Sequence, residues 1–81
     1  MIVKYSVPNC GNCQKLSNIL KLNNIVVEER DLTNEIAKDL NIMSVPVMIK
    51  FVDGKEVDRI TGLVPVSKIK EFCNEWGYKI R

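Results

Sequence analysis

Histidine is absent from all 81 residues. That removes imidazole acid–base catalysis, histidine haem ligation and most zinc sites. No Asp or Glu precedes Glu28, so the first third of the chain carries only positive side-chain charge, at Lys4, Lys15 and Lys21. No apolar run approaches the roughly 20 residues that a membrane-spanning helix needs. The opening MIVKYSVPNC lacks a basic region followed by a long apolar stretch, and no signal peptide is expected. A net charge of +2 is too small to point to nucleic acid as the main ligand. Cysteine is scarce and odd in number, at three, which does not describe a disulfide-stapled secreted scaffold. A reducing, cytoplasmic setting is expected, with any cysteine pair acting transiently.

What is present points to a packed globule. The hydrophobic share is 46%, too high for a disordered chain. Residues 1–81 suit a single small domain of modest stability. Ile2 to Ser6 reads as a strand rich in β-formers, broken by Pro8-Asn9. From Cys10 the pattern turns helical, because Cys13, Leu16, Ile19 and Leu20 recur at offsets 0, 3, 6 and 7. Asn23-Asn24 ends that helix. Ile25 to Arg30 predicts a second strand, and Asp31 or Thr33 can cap a short helix over Glu35 to Leu40. Its inward residues are Ile36, Ala37 and Leu40.

Val47 to Val52 predicts a third strand and Glu56 to Ile60 a fourth. Asp53-Gly54 between them is a hairpin turn, since both residues tolerate positive φ. Pro65 suits the first turn of a last helix. Its apolar face is Ile69, Phe72, Cys73 and Trp76, at offsets 0, 3, 4 and 7. The fold class is α/β, in the order βαβαββα. It implies a four-stranded mixed sheet with a right-handed parallel crossover and flanking helices.

Chemistry concentrates at Cys10-Gly11-Asn12-Cys13. A strand, a CxxC and a helix in succession form a redox arrangement. Cys10 falls at the helix N-terminus, where unpaired N–H groups and the helix dipole favour a thiolate. Cys13 falls one turn in, on the inward face, and is expected to be sheltered and thiol-like. Cys10 is thus the expected nucleophile and Cys13 the resolving thiol. Gly11 leaves a partner's approach unobstructed, and Asn12 adds hydrogen bonding without charge. Zinc would want a second close pair, and Cys73 is the only other cysteine. Cys73 is expected in the core, with a third redox thiol or a dimer-forming thiol as the alternative. Met43 reads equally as a flexible apolar residue on a surface that meets varied partners and as loop packing. Tyr5 reads as half-buried sheet packing, with flanking the active site as the alternative. Lys15 reads as a solvated helix lysine, with steering of anionic partners as the alternative.

The strand Tyr5-Ser6-Val7-Pro8-Asn9, the CxxC and the distant Val45-Pro46 resemble the thioredoxin and glutaredoxin superfamily over nearly the whole chain. The resemblance implies a thioredoxin fold of glutaredoxin size. It implies a cis Val45–Pro46 bond facing the dithiol, with the backbone before Pro46 pairing with substrate like an added strand. Pro8, Gly11, Asn12, Val45, Pro46 and Gly62 are the substrate-binding residues it suggests. The activity implied is reduction of protein disulfides, with no bound cofactor and no metal, by a monomer that binds neither nucleic acid nor membrane.

The pattern mixes two branches. Tyr5-Ser6-x-Pro8-x-Cys10 is similar to glutaredoxins; Phe51 to Val57 and Thr61-Gly62 are similar to thioredoxins. Glutaredoxins usually carry lysine at the position of Val7 and tyrosine or phenylalanine at that of Asn12, both of which help hold glutathione. Their Gly-Gly and acidic residue are present only in part, as Gly62-Leu63. These departures weigh against glutathione specificity and leave two electron donors open, a thioredoxin-reductase-type flavoenzyme or glutathione. The buried acid that assists proton transfer in thioredoxins has no candidate before Glu28. The remaining alternatives are a binding module without turnover and a metal carrier using Cys10.

Overall fold

A computed structural model describes residues 1–77, with side chains as far as Cys73. Strand β1 is Ile2–Ser6 and helix α1 is Gly11–Leu22; β2 is Glu28–Asp31 and α2 is Asn34–Asp39. Strands β3 (Val47–Val52) and β4 (Lys55–Thr61) form a hairpin, and α3 (Val66–Gly77) follows. This is the expected βαβαββα order. The sheet order is β2-β1-β3-β4, with β1 parallel to β2 and the other pairs antiparallel. Two parallel neighbours joined through one helix require that helix to run back against the strand direction. The N-terminus of α1 therefore lies at the C-terminal end of β1.

Strand periodicity divides the core between the two sheet faces. Ile2 and Met48 pack with Leu16 and Leu20 of α1 and with Ile69 and Phe72 of α3. Val3, Tyr5, Val47 and Ile49 pack on the other face with Ile42, and Ile36 and Ala37 of α2 close it. Leu16, Met48, Ile49 and Ile69 are each at most 1% exposed. Side chains of this size contribute roughly 1.5–3 kcal/mol each when fully buried.

Both short helical stops use asparagine. Asn24 (φ 56°) and Asn41 (φ 55°) adopt left-handed backbone just past α1 and α2. Ile25 N–H donates to Leu20 C=O at 2.9 Å, and Ile42 N–H donates to Ala37 C=O at 2.8 Å. These are paired Schellman-type stops, each burying an apolar residue after the turn. At the hairpin, Asp53 (φ 53°) and Gly54 (φ 79°) provide the expected double positive-φ turn.

Several expected boundaries moved, among them α2, which runs Asn34–Asp39 where Glu35 to Leu40 is expected, and β4, which runs Lys55–Thr61 where Glu56 to Ile60 is expected. Strand β2 begins at Glu28, whereas Ile25 to Val27 approach it unpaired: Ile25 and Val27 face the core while Val26 is 95% exposed. Pairing starts only where Val3 comes opposite Glu28. Thr33, not Asp31, caps α2, because Asp31 is the last residue of β2. Pro65 stands just before α3, and its C=O accepts from Ile69 N–H at 3.2 Å. The side chain of Trp76 lies outside the described residues.

Candidate redox site

The first turn of α1 is built around sulfur. Cys10 is the N-cap, in extended backbone (φ −99°, ψ 107°). Its Sγ accepts from Cys13 N–H at 3.1 Å, while Gln14 N–H donates to Cys10 C=O at 3.2 Å. A serine or aspartate oxygen commonly fills this role. No acidic residue occupies the first turn of α1. Amide donors and the positive end of the helix dipole thus act on the sulfur, with no carboxylate opposing them. Asn9 (φ 61°) takes the left-handed turn that carries the chain from Pro8 into the helix, a conformation asparagine adopts at low cost.

Cys10 and Cys13 are joined as a disulfide, with Cα atoms 5.2 Å apart. Cys10 is half-buried, whereas Cys13 is 4% exposed. Pro8, Gly11 and Asn12 are all exposed around them. A Cβ added at Gly11 would meet nothing within 4 Å. The chain itself therefore leaves room for a side chain there, and any demand for glycine comes from what approaches the sulfur.

A second loop reaches the same end of the sheet. Tyr5 of β1 is opposite Val47 of β3, so the residues just before Val47 flank the stretch leading to Cys10. The Val45–Pro46 peptide is cis; Pro46 is buried and Val45 half-buried. Gly62, just past β4, has φ 79° and donates its N–H to Pro46 C=O at 2.7 Å. That φ is strained for any residue with a Cβ, so Gly62 is a backbone requirement of this contact. Met43 stands 91% exposed three residues before Pro46. The structure thus brings Pro8, Cys10, Gly11, Asn12, Val45, Pro46 and Gly62 to one end of the sheet.

Lys4, which the sequence offers only as one of three early positive charges, is buried. It is 1% exposed, in the middle of β1. Its Nζ donates to Ser17 Oγ at 2.7 Å and to Glu29 Oε1 at 2.9 Å. The available signal was alternation: Ile2, Lys4 and Ser6 share a sheet face, and Lys4 is its middle position. Cys73 is a free thiol on α3, half-buried against the core beside that face. Burial raises its pKa, with Lys50 opposing the shift. Among the described residues, no group of three or more His, Cys, Asp or Glu side chains is placed to hold a metal ion.

The family model for thioredoxin matches residues 1–75. The SPbeta prophage-derived thioredoxin-like protein YosR of Bacillus subtilis is 40% identical over 77 residues, covering 91% of this chain and 95% of that one. The chain belongs to the thioredoxin family. A thioredoxin of Mycoplasmoides gallisepticum is 30% identical over 81 residues, covering 89% of this chain and 79% of its own. Among solved structures, the oxidised thioredoxin of Plasmodium falciparum aligns with a TM-score of 0.73 at 22% identity, over 93% of this chain and 78% of that one. The fold is therefore that of thioredoxins, as the arrangement of strands and helices had implied. With its proximal cysteine pair, this thioredoxin is a thiol–disulfide oxidoreductase, and its substrates are disulfide-containing proteins.

Proposed function

We propose that this thioredoxin reduces protein disulfides with Cys10 as nucleophile and Cys13 as resolving thiol. The observation that carries the assignment is the cap: Cys10 Sγ accepts the Cys13 amide at 3.1 Å in a helix turn without acidic residues. Negative charge on that sulfur is stabilised before any partner arrives. The contrast in exposure supports the same order, since a partner's disulfide meets Cys10 before the 4%-exposed Cys13.

In the first step the Cys10 thiolate attacks one sulfur of the partner's disulfide and expels the other as a thiolate. Cys13 then loses its proton and attacks Cys10 Sγ. The partner leaves as its second thiolate, and Cys10–Cys13 is left oxidised. Pro8, Gly11 and Asn12 border the exposed sulfur, while Val45 and Pro46 offer a backbone edge to an extended substrate segment. Gly62 holds that edge through Pro46 C=O.

The dithiol is restored by a thioredoxin-reductase-type flavoenzyme. Val7 and Asn12 offer neither the charge nor the ring that hold glutathione in glutaredoxins. The protein works as a monomeric single domain in the cytoplasm, without metal or bound cofactor. Among the described residues, no helix is long and apolar enough to cross a membrane.

The test pairs a trap with a donor comparison. Cys13→Ser is expected to accumulate a mixed disulfide through Cys10 when mixed with an oxidised protein substrate, seen as a mass adduct. NADPH with thioredoxin reductase should turn over the wild-type protein faster than glutathione with glutathione reductase. Adduct formation through Cys13 in a Cys10→Ser protein would reverse the assignment. Faster turnover with glutathione would replace the electron donor.

A further inference from the structure

Lys4 lies on the sheet face that carries α1, and the mechanism above makes no use of it. A lysine that is 1% exposed, in the central part of a 5-residue strand, is costly unless its charge is matched. Here two acceptors hold it, the neutral Ser17 Oγ at 2.7 Å and the Glu29 carboxylate Oε1 at 2.9 Å. The parallel register puts Lys4 directly opposite Glu29. Ser17 is four residues after Cys13 on α1, so the two are neighbours on one helix face. Helical side chains lean toward the helix N-terminus, which carries Ser17 toward Cys13. The ammonium is therefore anchored within one turn of the buried Cys13.

The two partners differ in their setting. The Lys4 side chain is 1% exposed and that of Glu29 55% exposed. A groove lined by Ser17, Leu20, Val27 and Glu29 opens this side to water. Solvent screens the carboxylate far more than the ammonium. The field left at the buried end of the pair is net positive.

We propose that Lys4 is a positioning residue for the resolving step, its buried ammonium stabilising the Cys13 thiolate as it forms. The proposal rests on Cys13 being the resolving thiol. In that step the Cys13 S–H bond breaks and its proton passes to water. The new bond joins Cys13 Sγ to Cys10 Sγ, and the bond from Cys10 Sγ to the partner's sulfur breaks. The electron pair leaves with the partner's sulfur, so the dithiol is oxidised and the partner reduced. Lys4 exchanges no proton; it lowers the cost of the charge on Cys13.

Asp31 of β2, opposite Ser6, shares this sheet face at the Cys10 end and is exposed, so solvent screens it. The other charged groups on this face among the described residues lie farther along it. Lys50 of β3 is opposite Ile2, at the opposite end of β1, with its Nζ 4.5 Å from the Phe72 ring centre. Asp58 of β4 is opposite Lys50, and Lys68 and Glu71 of α3 line the cavity beside Asp58. Cys73 is placed with Lys50. On α1 itself, Lys15 and Lys21 are exposed. Among the described residues, Lys4 is thus the buried charge anchored to α1, through Ser17, and the two carboxylates that share its face on β2, Glu29 and Asp31, are both exposed.

The test titrates Cys13 alone, by thiolate absorbance, in a Cys10→Ser, Cys73→Ala background, which leaves Cys13 as the one thiol. Lys4→Met keeps the bulk of the side chain and removes its charge. It is expected to raise the Cys13 pKa by about one unit, a tenfold drop in thiolate at neutral pH. Glu29→Gln keeps a hydrogen-bonding oxygen and removes the opposing charge, so it should move the same pKa downward. Opposite shifts are the signature of charge; a purely structural role would move both variants alike. Should Lys4→Met not fold, the Glu29→Gln titration decides alone, since Glu29 is exposed and its loss leaves the core intact. An unmoved pKa, or shifts of one sign in both variants, overturns the proposal. The titration involves no turnover, so failure of Cys13 as the resolving thiol would show separately, as an absent trap in Cys13→Ser.

Discussion

Helices α1 and α2 begin with the same device and put it to different uses. In α2 the cap is Thr33, whose Oγ1 accepts from Ile36 N–H at 3.2 Å, and Glu35 sits in the first turn. The positive pole of α2 is answered by fixed groups of the chain itself. In α1 the cap is the sulfur of Cys10, and the first turn is Gly11, Asn12 and Cys13, without a carboxylate. The pole of α1 is left for a charge that comes and goes with the redox cycle. A helix start can therefore serve stability or reactivity, and the residues of its first turn decide which.

The sharpest break between the two comes from exchanging function for structure. Cys10→Ser keeps an oxygen cap, so the folded protein should persist while disulfide reduction falls to the uncatalysed background. Thr33→Ala should do the reverse, costing about 1 kcal/mol of stability with activity retained. Urea denaturation and an insulin-type turbidity assay, run on both variants, would show whether the two effects separate. Loss of activity in Thr33→Ala at full folding would tie α2 to the chemistry.

A smaller change makes α1 resemble α2. Asn12→Asp places a carboxylate in the first turn, beside the sulfur. Charges at helix ends are worth about 0.3–1 kcal/mol, or several tenths of a pKa unit. The Cys10 pKa should rise by that amount, and alkylation of Cys10 near neutral pH should slow in proportion. An unchanged alkylation profile would mean that the Cys13 amide alone sets the reactivity of Cys10.

The smallest expected effect is at the other end of α2. Arg59 Nη2 donates to Leu40 C=O at 2.7 Å and to Glu56 Oε1 at 2.6 Å, so β4 closes the helix's carbonyl end. The hydrogen bond from Arg59 lowers the Glu56 pKa below its usual 4.5. A lowered carboxyl pKa contributes stability above the unfolded-state value and loses it as pH falls through the folded-state value. Glu56→Gln should therefore flatten part of the acid limb of a stability–pH curve and leave neutral-pH activity alone. A wild-type curve already flat below pH 4.5 would remove the contribution.

How much of this was legible beforehand depended on whether the signal was local. Strand β1 and strand β3 have the expected bounds because Pro8 and Asp53-Gly54 punctuate them. The CxxC at a helix start was legible for the same reason: spacing and capping act within a few residues. Strand β2 was read too early because Ile25 to Val27 are apolar, whereas pairing depends on where β1 lies. The burial of Lys4 is not legible in the sequence, because a lysine within a strand ordinarily faces water. What buries it is Glu29, 25 residues away, and Ser17 on the returning helix. Thr33 was indistinguishable from Asp31 as a cap until β2 claimed Asp31.

The contact from Gly62 N–H to Pro46 C=O bears on how a partner is held. It fastens the edge before β3 to the end of β4, and Val47 and Thr61 already pair beside it. Under the proposed function, a segment docking there would meet a surface whose shape is set before arrival, and little of the binding free energy would go into ordering that edge. On that proposal, recognition would be brief and broad, with many sequences accepted by the same backbone edge and released once the sulfur bond is exchanged.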